Sequence, residues 1–385
     1  MTTTNDPARH IPTQAETLFH EFLASNLPIG QLREQVVLLL SSEDLRRVLR
    51  EITPEVQESF IDKVNHVYLT VNAEDKHFLI LFGDFCSDTK RLPASALLSA
   101  GLVKCGEVPV ATGGVMDVWR GKYQSTRVAI KAFRAYPIQS LEEAKEVLRK
   151  LVPMWKKFTH PNVVAFRGVT MENFRLALVY DWGENGNIMR YVKSHPMPPR
   201  LILLLQVARG LQYLHSLDIP HGNLKGPNVL VDESGHVRLT DYGLALLNAN
   251  PDLTQASPTV GNSRWLAPEI IDPPSDIVFE SKPADIFAFG MLAIEVFTGE
   301  PPFQGCSSSR AARLILKGDR PELPQNAEGV GLTVQVWELL QKCWHPDPAR
   351  RPTIDEVVRS CEYLTGNNEC VQRTLNDQDH GAFLT

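Results

Sequence analysis

No two of the six cysteines in this 385-residue sequence form a CxxC pair; Cys86, Cys105, Cys306, Cys343, Cys361 and Cys370 are scattered along it. That spacing argues against a disulfide framework or a zinc site and fits reduced thiols in a cytoplasmic or nuclear setting. Basic charge is also short. Lysine and arginine number 39 against 45 acidic residues, giving a net charge of −6, and a nucleic-acid-binding surface would need the opposite balance. Long apolar runs are missing: VVLLL at Val36–Leu40 is far too short to cross a bilayer. The first residues, MTTTNDPARHIPTQ, are polar and no basic segment leads into an apolar one, so no signal peptide is expected. No internal repeat is found. What is present suits globular cores: 43% hydrophobic and 22% charged residues, over a length that suggests one large domain plus a smaller one.

Residues 1–12 read as disordered. From 13 to 86 the apolar spacing is helical, with stripes at Leu18, Phe19, Phe22 and Leu23, at Leu45, Val48, Leu49 and Ile52, at Val56, Phe60, Val64 and Val67, and at Phe78, Leu79, Phe82 and Phe85. Start signals stand at Ser41 with Asp44, Thr53 with Pro54 and Asn72 with Asp75. One-sided stripes must pack on each other or on a partner. A small bundle folding on itself is favoured over a docking or self-association module. Residues 87–101 mix turn formers with small residues and read as a linker. Beyond it, strands are expected at Val118–Tyr123, Arg127–Phe133, Val163–Val169 and Leu176–Tyr180, with a helix at Leu141–Phe158. Helices then dominate: Leu201–Leu217, Lys282–Thr298, Ser308–Leu316, Thr333–Cys343 and Ile354–Leu364. Strands first and helices after imply an α+β domain of two lobes over 102–365, preceded by the all-α region, with a flexible tail at 366–385.

Four short motifs stand in order: VAIK at Val128–Lys131, HGNLKGPN at His221–Asn228, DYG at Asp241–Gly243 and APE at Ala267–Glu269. Asp285 in SKPADIFAFGM and Arg351 in CWHPDPARRPT follow. In order and spacing they resemble the protein-kinase set of strand lysine, catalytic loop, metal-binding triplet and end of the activation segment. HPNVV, RWLAPEI and the closing CW…RRPT resemble the tyrosine-kinase-like group. The whole is similar to kinase-like proteins numerous in mushroom-forming fungi. The resemblance covers Val103–Leu364 firmly and the first hundred residues loosely.

The resemblance implies ATP and Mg2+ as cofactors and proteins as substrates or partners. Lys131 would hold the phosphates, and Asn228 with Asp241 would supply oxygen ligands to magnesium. Lys225 would steady the transferred phosphate. Gly113, Val118, Ala129, Asp181, Gly183 and Leu230 would line the nucleotide site, with Tyr180 behind it. Asp285 would brace the catalytic loop, and Arg351 would pair with Glu269. Trp155, Phe166, His221 and Tyr242 would stack between the lobes, a role compatible with plain core packing.

Several parts depart from that pattern. Asn223 stands at the place of the catalytic aspartate, and an amide has no basic oxygen near neutral pH. The frame is secure, because His221, Leu224, Lys225 and Asn228 all match HxDLKxxN. Gly222 replaces an arginine that would read a phosphate on the activation segment, where Thr254, Ser257, Thr259 and Ser263 lie. Of the glycine-rich loop only Gly113 remains; Ala111 and Met116 hold the other two places, and Met116 adds bulk near the phosphates. Counting back from His160, the helix glutamate falls on Leu151. Glu146, five residues earlier, lies about 140° round the helix. Pro153 is expected to kink or end that helix. These losses favour a pseudokinase that retains the fold and the nucleotide cleft. A slow serine/threonine kinase is the second reading, supported by Lys131, Lys225, Asn228 and Asp241. A scaffold indifferent to nucleotide, using the N-terminal helices, is the third.

Overall fold

The computed structural model describes residues 14–42, 44, 48, 52–70, 75–113, 116–134, 138–195, 200–244, 262–273, 281–325 and 327–366. Leu45, Leu49, Asn72, Thr254, Ser257 and Thr259, the segment 1–12 and the tail beyond 366 lie outside them. The described residues form two compact units: those up to Leu98 together with Lys145–Lys157, and the remainder.

The first unit contains helices α1 (Gln14–Ala24), α2 (Ile29–Leu40), α3 (Pro54–Thr70) and α4 (Lys76–Asp88). Phe19 and Phe22 of α1, Val36 and Leu39 of α2, Phe60 and Val64 of α3, and Phe78, Phe82 and Phe85 of α4 close one core. Each such side chain, fully buried, contributes about 1.5–3 kcal/mol relative to exposure. Local signals fix the ends: Pro54 opens α3, and the Asp75 carboxylate caps α4 by accepting from Phe78 N at 3.3 Å. Lys63 closes α1, its ammonium donating to the carbonyls of Phe22, Leu23 and Ser25 at 2.6, 3.0 and 2.5 Å. Helix α2 falls inside the stretch expected to be helical but outside the four stripes picked out there. Its VVLLL run hides the period, since Leu38 is exposed while Val36, Leu39 and Leu40 are buried. Its start carries no side-chain cap, with Pro28 at that place. The stretch 87–101, expected as a linker, is partly packed: Ala96 and Leu98 are buried, and Ser95 Oγ donates to Asn65 Oδ1 at 3.0 Å.

The second unit opens with β1 (Leu102–Cys105), β2 (Ala111–Gly113), β3 (Met116–Tyr123) and β4 (Thr126–Phe133). Helix α5 (Ile138–Trp155) follows and passes into the first unit at Lys145. Then come β5 (Phe166–Thr170) and β6 (Ala177–Asp181). These strands form an antiparallel sheet in the order β1-β3-β4-β6-β5, with β2 on β3. Strands β1 and β2 escaped the sequence reading because β1 has four residues and β2 three exposed ones. Val163–Ala165, expected as strand, contribute one bridge, Val163 to Leu239. Helix α5 continues two residues past Pro153, so the proline marks its last turn rather than a break.

Helices α6 (Ile188–Ser194) and α7 (Arg200–Ser216) precede the short hairpin β7 (Val229–Val231) and β8 (Val237–Leu239). After them come α8 (Pro268–Ile271), α9 (Lys282–Thr298), α10 (Ser308–Leu316), α11 (Val334–Cys343) and α12 (Ile354–Gly366). Helix α9 is buried from Ala284 to Phe297, which explains its nearly continuous apolar sequence. Among the described residues, no helix is long and apolar enough to cross a membrane.

Arg351 locks α8 to this framework. Its guanidinium is fully buried and donates to both carboxylate oxygens of Glu269, at 2.6 and 2.8 Å. It also donates to the carbonyls of His345, Pro283 and Pro346. Removing one partner of such a pair costs more than the pair contributes, because the other charge is stranded. Arg351→Ala is expected to lower unfolding free energy by about 3–5 kcal/mol. Urea denaturation followed by fluorescence measures this, and a loss below about 1 kcal/mol would show that the pair does not anchor α8.

Candidate active site

Strand periodicity assembles one face of the sheet. Register places Ala111 opposite Val118, Val118 opposite Lys131, Lys131 opposite Leu178 and Ala129 opposite Tyr180. Alternation then puts Ala111, Gly113, Met116, Val118, Ala129, Lys131 and Tyr180 on the same side. Met116 pairs with Gly113, so its bulk lies on the face that carries Lys131. The turn between them, 114–115, is outside the described residues.

Lys131 is buried and ion-paired to Asp241, with a second bond to Thr240 Oγ1 at 3.1 Å. Its ammonium sits 5.3 Å from the ring centre of Tyr180. Asp241 has a φ of +63°, a left-handed backbone that few non-glycine residues adopt. Asn228 is buried, donates Nδ2–H to Asn223 O at 2.7 Å, and accepts from Thr240 N–H at 3.0 Å on its own carbonyl. That backbone bond joins the catalytic-loop stretch to the one carrying Asp241.

The hinge side is closely packed. The Asp181 carboxylate faces Arg167 in a bidentate pair of 2.5 and 2.8 Å, and its N–H donates to Ala165 O. At Gly183 a Cβ would stand 3.0 Å from Leu230 Cβ, so glycine permits a close approach of hinge and β7. Tyr180 is fully buried; ring contacts run from Phe166 to Tyr180 at 5.2 Å and from Tyr180 to Tyr242 at 6.5 Å. Tyr242 also donates to Val164 O at 3.1 Å. Trp155, equally buried, belongs to the first unit.

The catalytic loop hangs on α9. Asp285, buried, accepts from His221 N–H at 2.7 Å, Gly222 N–H at 2.8 Å and the His215 ring at 2.8 Å. Gly222 has φ +72°, where a side chain would be strained. Burial holds the His221 imidazole below its usual range.

Two residues that sequence reasoning missed complete the loop. Asn262 accepts from Lys225 Nζ on Oδ1 and donates Nδ2–H to Asn223 Oδ1 at 3.1 Å. Burial pulls Lys225 below its ordinary pKa, opposed by the charges of Asp241 and Glu295. Glu295 accepts from Gly226 N–H and Trp265 Nε1–H, both at 2.9 Å and both on one oxygen. Asn262 lies just before RWLAPE and Glu295 inside an apolar helix; only their place relative to those motifs could have flagged them. Ser263, expected among the activation-segment hydroxyls, is buried.

The family model described as "Protein tyrosine and serine/threonine kinase" matches residues 106–361. The chain belongs to that kinase family. Serine/threonine-protein kinase STY17 of Arabidopsis thaliana is 31% identical over 72% of this chain and 47% of that protein. Serine/threonine/tyrosine-protein kinase HT1 of the same plant is 27% identical, over 71% of this chain and 68% of that protein. Human mitogen-activated protein kinase kinase kinase 11 is 30% identical, over 67% and 31%. The chain thus spans less than half the length of several kinases it resembles. The last two are kinases of the tyrosine-kinase-like type expected from the sequence.

Burial pushes the Glu295 carboxyl up from 4.5 to about 7, partly offset by its two hydrogen bonds and by Lys225. Between those values the folded kinase keeps a proton that the unfolded chain releases. The contribution of this group therefore falls as pH rises through the window and levels off above about 7. Glu295→Gln mimics the neutral acid. Relative to wild type, the variant is expected to gain stability between pH 5 and 7.5, on the order of 3 kcal/mol at the upper end. Chemical denaturation across that range measures it, and parallel pH profiles would contradict the assignment.

Proposed function

We propose that the chain is a pseudokinase: a kinase fold that seats ATP with magnesium and transfers phosphate feebly or not at all. One observation carries this reading, the hydrogen-bonded triad Lys225–Asn262–Asn223. An ammonium can only donate, so Asn262 must turn its oxygen to Lys225. Its amide N–H then faces Asn223, which answers with its oxygen. The other end of the Asn223 amide is an NH2, a donor. A substrate hydroxyl arriving there meets a group that can orient it but cannot take its proton. General-base assistance contributes about 10²–10⁴-fold in rate, and that share is missing.

The nucleotide cleft nevertheless keeps its parts. Lys131 would hold the phosphates and Lys225 the transferred group. Val118, Ala129 and Leu230 offer apolar surface to a base, with Gly113 over the phosphates and Gly183 and the Asp181 backbone at the hinge. Asn228 and Asp241 are hard oxygen donors joined through the Thr240–Asn228 bond, a set that fits magnesium. When bound, the metal would neutralise phosphate charge. Met116 on the Lys131 face supports a weaker or altered nucleotide pose.

A slow serine/threonine kinase remains the second reading, favoured by the Lys131–Asp241 pair and by the serine/threonine-kinase names of relatives such as STY17. A scaffold that ignores nucleotide is the third; all three act on protein partners. Wild type is expected to melt higher with Mg-ATP, and Lys131→Ala to abolish the shift. Radiolabel transfer by wild type is expected at background. Asn223→Asp keeps the bond from Asn262 and frees a carboxylate oxygen, so transfer is expected to rise by roughly 10²-fold or more. Robust wild-type transfer that Lys131→Ala removes would overturn the pseudokinase reading, and an absent melting shift would favour the scaffold.

A further inference from the structure

Helix α5 presents two distinct faces. Ala144, Leu148, Val152 and Trp155 are buried along one, and half-buried Leu151 falls in the same row at spacings of three and four. Lys150 and Met154 lie along another, and Lys157 follows in the turn just past the helix end. All three belong to the first unit, and all three meet the N-terminal helices there.

The contact at Lys150 is between backbones. A Cβ built on Gly83 of α4 would stand 2.5 Å from the Lys150 carbonyl oxygen, 3.2 Å from its carbon and 3.3 Å from its Cα. A glycine inside a helix costs about 1 kcal/mol relative to alanine, so α4 is weakened at the point where α5 lies against it. Beside it, Lys150 Nζ stands 3.5 Å from Asp84 Oδ1. One turn on, Met154 packs against the aromatic core of the helical unit. Further on, the Lys157 ammonium rests 4.5 Å from the ring centre of buried Tyr68, and burial lowers its pKa. Shape, charge and a cation on a ring thus follow one another along 150, 154 and 157.

We infer that the N-terminal helices are a built-in clasp for α5, with Gly83, Asp84 and Tyr68 as positioning residues. In a kinase, a lysine–glutamate pair ties the strand lysine to this helix. Here Leu151 occupies the glutamate register, and Lys131 is held by Asp241 and Thr240. The clasp fixes the helix from the opposite partner. Its consequence for nucleotide rests on the pseudokinase reading above; its grip on α5 does not.

Hydrogen exchange on the full chain tests the grip. Gly83→Ala strengthens α4 as a helix but drives a methyl into the Lys150 carbonyl. Exchange over residues 145–157 is expected to accelerate at least tenfold, while residues 282–298 in α9 stay as in wild type. Met154→Gln opens the same contact from α5 and covers the case in which Gly83→Ala does not fold. Unchanged exchange at 145–157 in the folded variants overturns the clasp. Where wild type binds Mg-ATP, the opened variants are expected to bind it at least threefold more weakly. Equal affinity with an opened helix would defeat the claim that the clasp replaces the lysine–glutamate pair. A wild type that binds no Mg-ATP counts against the pseudokinase reading alone, and exchange then decides the clasp.

Discussion

The carboxylate of Asp285 has almost no contact with water and accepts three hydrogen bonds, from the His215 ring and from the backbone of His221 and Gly222. A buried carboxylate is tolerable only when its oxygens are satisfied in this way. The geometry of the loop from His221 to Asn228 follows from it. The bond pattern turns Gly222 into left-handed backbone, where glycine adopts without strain what another residue would adopt at a cost of roughly 1–2 kcal/mol. With the start of the loop fixed, Gly226 N–H reaches Glu295, and Asn228 spans back to Asn223 while accepting from Thr240. Glycine at 222, where the kinase resemblance leads one to expect an arginine, thus suits the backbone that these bonds impose.

Hydrogen-bond polarity explains how an amide can replace the catalytic carboxylate and leave its surroundings intact. Asn262 must give an N–H toward residue 223 because its oxygen is committed to Lys225. Aspartate and asparagine both satisfy that donor. On the pseudokinase reading, the loss is therefore confined to the unbonded end of the side chain, where a donor stands in place of a proton acceptor. Lys131 with Asp241, Lys225, Asn228 and the Asp285 brace can all persist, since none of them needs the missing oxygen. On the pseudokinase reading, Asn223 stands beside the departures at Ala111, Met116 and Leu151, and the residues kept around it suit binding without turnover.

Legibility in the sequence follows the range of the interactions. Lys131, Asp241, Asn228, Asp285 and Arg351 could be picked out from short motifs at fixed spacing, and the structure gives each of them named partners. The long helices α3, α4, α7 and α9 showed through their periodicity or length. Helix α2 did not, since a run of five apolar residues masks which side is buried. The strands β1 and β2 are too short to show a period. Asn262 and Glu295 were illegible for another reason. Their partners lie 30 to 69 residues away in sequence, and neither residue type announces a contact of that kind.

The N-terminal helices show how two readings of one pattern can both hold. One-sided apolar stripes require burial but do not name the partner. Phe60, Phe82 and Phe85 bury one another, as a self-contained bundle requires, and the same core also takes up Met154 of α5, sixty-six residues beyond the end of α4. Gly83 shows that this second contact is not incidental. Alanine there would favour α4 taken alone, so glycine fits the presence of a backbone pressed against it. Leu151 makes the same point from the other side. A leucine at that register joins the apolar row of α5 and strengthens the helix by burial, whereas a glutamate would have needed a lysine to answer it. A helix stripped of that ion pair needs another constraint to hold its place, and packing supplies one that does not depend on nucleotide, metal or pH.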